Sequence, residues 1–173
     1  MSLTELKLKI IYPQARASRI HLFLPLLEKA FDEFEINTPL RQAHFLAQVG
    51  QESGQLNYVK ELASGEFYEG RLDLGNTVHG DGVLYKGRGL IQITGKRNYV
   101  LCGLGLNLPL LQKPELLEEP LYATRSAGWY WNNKNLNSFA DKDNILFITK
   151  KINGGINGLE SREQFLSKAK EVL

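Results

Sequence analysis

Seven glycines fall within one 25-residue stretch, at positions 65, 70, 75, 80, 82, 87 and 89. No helix of useful length runs through that spacing. The stretch is therefore expected to be loop with short strands, set between helical segments on either side. Directly after it, LIQITG alternates Ile91 and Ile93 with Gln92 and Thr94, the pattern of a short strand or extended segment whose polar side can face a cleft.

Around this segment the apolar residues recur at helical spacing. A first helix is predicted over about Gln14 to Ile20 and a second from about Leu24 to Phe34, with Pro25 placed in the second helix's first turn because proline disrupts a helix interior. The next helix has clear boundaries. Thr38 suits the N-cap, Pro39 the first helical position, and Leu40, Ala43, Leu46, Ala47 and Gly50 form a core stripe ending near Ser53 or Gly54. Pro109, Pro114 and Pro120 divide a connecting region, and Leu121 to Trp131 reads as helix. Asp143 is placed as the cap of a helix carrying Ile145, Ile148 and Ile152 that stops at Gly154 and Gly155. A last helix follows the Asn157-Gly158 turn, with Ser161 as its cap and Phe165, Leu166, Ala169 and Val172 inside. Consecutive Trp129, Tyr130 and Trp131 point about 100° apart on a helix, so they are assigned mostly to the core.

With 173 residues, 43% of them hydrophobic, the chain is expected to form one domain, 1–173, with a real core. Lys and Arg number 21 against 19 Asp and Glu, without a basic stripe, which argues against a nucleic-acid partner. The lone Cys102 cannot make an intrachain disulfide, and His21, His44 and His79 have no metal-site spacing, so neither metal nor cofactor is expected. The N-terminal residues carry charges throughout, unlike a signal peptide, and no apolar run reaches transmembrane length. Synthesis in the cytoplasm and release by another system are the expectation.

Hydrolysis of a glycosidic bond needs one protonated carboxyl group and one ionised one. Glu52 lies seven residues beyond Phe45 and three beyond Val49, at the margin of the apolar face near the helix C-terminus. Burial and the negative end of the helix dipole both penalise its anion there, as a general acid requires. For the partner, Glu61, Glu66, Glu69 and Asp73 are all available, and spacing alone does not choose among them.

Four fragments in order, FLAQVGQESG at 45–54, YEGRLDLGNT at 68–77, YKGRGLIQITGKRNY at 85–99 and INGGINGLESR at 152–162, resemble glycoside hydrolase family 19, the chitinase class that includes phage endolysins. The resemblance implies a mainly α, lysozyme-like two-lobed fold with a central substrate cleft and at most a small β element. It further implies an inverting acid/base mechanism, with Glu52 as acid and Glu61, nine residues on, as base, Glu69 being the alternative. Gln51 stands where the family has histidine, and Leu90 where it has proline. Thr94 matches the hydroxyl that holds the attacking water. Gln92, Asn153, Arg162 and Tyr85 match substrate-binding positions, and Arg88 is expected to pair with a buried carboxylate.

Because the short chain resembles the endolysin branch, peptidoglycan is the expected substrate, cut at its β-1,4 bonds by a monomer that relies on a release system such as a holin if phage-encoded. Chitin, as poly-N-acetylglucosamine, is the alternative substrate, and a catalytically inactive glycan-binding module is the alternative of another class.

Overall fold

The structure, a computed structural model, describes residues 3–173. The Thr4 hydroxyl caps a helix the sequence pattern did not announce, α1 (Glu5–Ile11), with Leu8 and Ile11 buried. The two helices expected between 14 and 34 are instead one, α2 (Ala17–Glu33), with Pro25 in its interior. Pro25 and His21 both stand at exposed positions, so the carbonyl that loses its helix donor can turn to water. Phe23, Leu27, Ala30 and Phe31 hold the two halves in one buried stripe.

Helix α3 (Pro39–Glu52) begins and ends where its sequence predicts. The Thr38 hydroxyl accepts from the Arg41 N–H, Pro39 opens the helix and Ser53 closes it. Its residues 43–50 are all buried. Such a helix is central, and it packs along α9 (Leu159–Val172). Tyr12 from the end of α1 and Phe165 of α9 meet edge to face, 5.7 Å apart, where α3 presents only the hydrogen of Gly50.

The glycine-rich segment holds no strand. It folds into 3-10 turns at Glu66–Tyr68 and Leu72–Leu74 and a one-turn helix α4 (Asp81–Leu84), and the only β pairing among the described residues is the isolated bridges of Arg88 with Lys60 and Ile93. Side chains supply the order that a sheet would have given. Buried Asn76 donates to the Tyr68 carbonyl and accepts from the Lys96 N–H, while the Asp81 carboxylate takes the N–H groups of Thr77 and Val78. These ties fasten the segment to α5 (Lys96–Leu106), another helix not foreseen. Residues 89–92 form a tight turn between paired Arg88 and Ile93, so the expected extended LIQITG is corrected to a hairpin-like loop.

Beyond a 3-10 turn at Pro114–Glu118, helix α6 (Pro120–Asn133) packs on α2, and Trp131 lies fully buried with its ring edge-on to Phe45. A short α7 (Asn137–Ala140) precedes α8 (Ile145–Asn153). The cap of α8 is Asn144, whose side chain accepts from the Phe147 N–H; Asp143, expected there, is instead held by His44 and Lys170. Helix α9 follows Gly158 directly, which moves Ser161 from the expected cap into the first turn. The result is a mainly α, two-lobed fold: a helical lobe around α3, and a second lobe built on the glycine-rich segment. No described helix is long and apolar enough to cross a membrane.

Candidate active site

Glu52 ends α3 with its side chain 19% exposed, one oxygen, Oε1, gripped by an Arg162 guanidinium that is itself 2% exposed. Burial drives the Glu52 pKa upward against the pull of Arg162, so the neutral acid is favoured relative to a free glutamate. The same burial lowers the Arg162 pKa, opposed by Glu52. Both charged forms are disfavoured for one cause, desolvation. The guanidinium is anchored on two further sides, Nε donating to Gln48 Oε1 at 2.7 Å and Nη1 to the Asn157 carbonyl at 2.7 Å. Oε2 of Glu52 makes no hydrogen bond to a described residue, which leaves it for a ligand. Tyr130 lies close enough for Glu52 to add to the burial that pushes its hydroxyl up to about 12. That hydroxyl stays protonated and donates to the Lys151 carbonyl.

Glu61 is placed by backbone pairing in the other lobe. Its N–H donates to the Gly87 carbonyl at 2.9 Å, while the Gly87 N–H returns to Oε2 at 3.1 Å. The Tyr68 hydroxyl donates to Oε1 at 3.1 Å. A methyl group on Gly87 would come within 2.7 Å of Gln92 Oε1, 3.1 Å of Glu61 Oε2 and 3.3 Å of Thr94 Oγ1. Three oxygens thus converge on one point, and the missing side chain at 87 is what leaves them room. The turn that brings Gln92 there starts at Gly89, whose φ of 82° suits glycine and whose Cα approaches Ser126 too closely for a side chain. Gln92 Nε2 donates to the Gly89 carbonyl and the Thr94 hydroxyl to the Gln92 carbonyl, both at 2.9 Å.

The other residues singled out from sequence fall elsewhere. Glu69 accepts from the N–H groups of Gly80 and Val83, at 3.0 and 3.2 Å, at the start of α4. Burial pushes its pKa up, but the backbone donors of Val83, Gly80 and Gly82 outweigh it and the net direction is down. Tyr85 is buried, its hydroxyl on the Leu111 carbonyl and its ring against Tyr99. Asn153 ends α8 at an exposed position, with no hydrogen bond to either carboxylate. Arg88 is 7% exposed and bonded to Glu118, Leu84 and Tyr99. Gln51 lies against Gly158, and Leu90 is fully buried in the core. Among the described residues no cluster of three or more His, Cys, Asp or Glu could hold a metal.

Gln48 and Tyr68 are not singled out by the sequence, Gly87 reads there only as a helix breaker, and Tyr130 reads with its neighbours mostly as core. Gln48 carried a signal, a glutamine inside the apolar run Leu46-Ala47-Gln48-Val49 of a buried helix, where a polar group needs a specific partner. Tyr68 carried none.

The chain is 31% identical to a glycosyl hydrolase family 19 domain-containing protein of Haemophilus influenzae, over 94% of this chain and 92% of that protein. The chain belongs to glycoside hydrolase family 19. No family model matches it. An Arabidopsis thaliana endochitinase is 36% identical over 73% of this chain, which spans 44% of that longer protein. Chitinase C of Streptomyces griseus superposes with a TM-score of 0.77 at 25% identity, covering 97% of this chain and 75% of that one. This family 19 glycosidase thus has relatives whose names state activity on chitin, and none of these three is named an endolysin. That overturns the expectation of peptidoglycan as substrate and of a bacteriolytic role, and leaves chitin, the alternative, as the better supported polymer.

Proposed function

We propose that this family 19 glycosidase cleaves β-1,4 bonds of chitin by an inverting acid/base mechanism. Glu52 is the acid and Glu61 the base. One observation carries the reading: the two glutamates stand in unlike surroundings, Glu52 buried against Arg162 with its neutral form favoured, Glu61 with an oxygen beside the Thr94 hydroxyl and the Gln92 amide. Water held by Thr94 and Glu61 attacks the anomeric carbon from the face opposite the scissile oxygen. The bond from that carbon to the leaving O4 breaks as Glu52 Oε2 hands its proton to O4, and Glu61 takes the proton from water. Exchange with solvent restores both groups. Gln92, whose amide reaches the same point, and Asn153 are assigned to the sugar's polar groups, Asn153 through its amide. Arg162 acts on Glu52 through the hydrogen bond it donates to Oε1.

Reducing-end release from N-acetylglucosamine oligomers tests the activity, with Glu52→Gln and Glu61→Gln beside the unmodified protein. Each variant is expected to lose at least ~100-fold in turnover while still binding the oligomer. Near-normal turnover in Glu52→Gln refutes its role. Proton NMR of the first product is expected to show the α-anomer, and initial β-anomer excludes inversion. Oligomer binding without any cleavage leaves a glycan-binding module instead.

A further inference from the structure

We propose that Gln48 and His44 are positioning residues for the acid, linking Asp143, His44, Gln48, Arg162 and Glu52 into one polar chain that runs from the surface at Asp143 into the interior along α3. This rests on the reading of Glu52 as proton donor. His44, Gln48 and Glu52 stand four residues apart, so they share a face of α3. His44 and Gln48 are fully buried. At one end, His44 Nε2 lies 2.8 Å from Asp143 Oδ1, and Asp143 also holds Lys170 at 2.6 Å. At the other, Gln48 Oε1 accepts from Arg162, which grips Glu52.

Donor and acceptor roles within the chain follow from its ends. Burial keeps the His44 ring neutral ahead of the opposing pull of Asp143, and Asp143 is held ionised because Lys170 and His44 outweigh its own burial. A neutral ring facing a carboxylate carries its proton on Nε2, which leaves Nδ1 a bare acceptor. Arg162 only donates, so the Gln48 oxygen must face it and the amide NH2 must turn away. His44 Nδ1 and Gln48 Nε2 are the two buried atoms here without a partner among the described residues. One is an acceptor and the other a donor, and a helical side chain at 48 leans back toward 44. They are not bonded to each other; one water between them, accepting from Gln48 Nε2 and donating to His44 Nδ1, completes both. Leaving both unmet in an apolar interior would be costly.

The chain fixes the guanidinium so that it takes Oε1 of Glu52 and leaves Oε2 to the leaving oxygen. The charged and titratable groups facing these residues are Arg162 and Tyr130 at Glu52, and Asp143 and Lys170 at His44. Because Arg162 pulls the Glu52 pKa down, loosening it lets that pKa rise. Activity requires protonated Glu52 and fails as pH climbs through its pKa, so loosening moves the alkaline limb of the pH profile upward.

The test pairs kinetics with imidazole nitrogen NMR. In Gln48→Met, kcat is expected to fall about tenfold with KM within about twofold, and the alkaline limb to move up by about half a pH unit or more. A lower melting temperature with kcat and limb unchanged reduces Gln48 to packing and overturns the proposal. If Gln48→Met does not fold, nitrogen-15 spectra of the unmodified protein decide: a neutral His44 protonated on Nε2 supports the chain, and a proton on Nδ1, which would leave a bare Nε2 against the Asp143 carboxylate and no acceptor facing Gln48, overturns it. Glu52→Gln assayed alongside separates the two readings. Normal turnover in that variant sinks the assignment of the acid, while the His44 tautomer still decides whether the chain exists.

Discussion

Replacing Arg162 with Met keeps much of the side-chain volume but removes the guanidinium. Three acceptors then lose their donor inside the protein: Gln48 Oε1, the Asn157 carbonyl and Glu52 Oε1. Breaking one side of a buried ion pair costs roughly 3–5 kcal/mol. For a domain of this size each kcal/mol moves the midpoint by about 2–4 °C, so a loss of roughly 6–20 °C is expected in thermal unfolding. The pH dependence carries the sharper test. A glutamate whose folded pKa is raised above the unfolded value of about 4.3 makes the fold lose stability as pH rises from that value through the folded pKa. Without Arg162 to oppose burial, the folded pKa of Glu52 rises further and the loss extends over a wider window. The difference between Arg162→Met and the unmodified protein should be smallest below about pH 4, where Glu52 is protonated in both states, and grow toward neutrality. Adding Glu52→Gln removes the stranded charge, so the double variant should recover part of the deficit at pH 7. A deficit that is independent of pH, or strict additivity of the two substitutions, refutes the buried-pair argument.

Three further outcomes follow from the second lobe. Gly87→Ala should lower turnover about tenfold, because the new methyl displaces Gln92, Glu61 and Thr94. Steady-state kinetics check it, and an unchanged kcat means the three oxygens do not act together. Glu69→Gln should lower the melting temperature by weakening the start of α4, yet lose far less turnover than the ~100-fold expected of Glu61→Gln; the reverse ranking would make Glu69 the base. Asp81 is held below the ordinary carboxylate range because the backbone of Val78 and Thr77 and the Lys96 ammonium together outweigh its burial. A depressed carboxylate contributes stability above its unfolded pKa of about 4 that is lost as pH falls below it. The acid-side drop in melting temperature should therefore be shallower in Asp81→Asn.

What the sequence made legible was local. Thr38 and Pro39 announce the start of α3 because a cap and a first-turn proline depend only on residues a turn apart, and the seven-residue step from Phe45 puts Glu52 on its margin. Local rules failed where tertiary contacts decide. Pro25 argues against a helix interior, but its exposed position lets water meet the freed carbonyl while the buried stripe from Phe23 to Phe31 carries the helix through. Gly103 and Gly105 argue against α5, yet the helix needs them: a side chain at 103 would strike the Leu108 carbonyl and one at 105 the indole of Trp129. The alternation of LIQITG imitates a strand because Ile91 and Ile93 must be buried in a turn as much as in a sheet; Leu90, directly before Ile91 and out of step with the alternation, is buried too. The charged heart of the site was beyond any local reading. Arg162 meets Gln48 across 114 residues and Glu52 across 110. Such contacts exist only once α9 lies along α3, so the environment that raises the Glu52 pKa against the pull of Arg162 is a property of the packed pair of helices and not of either one.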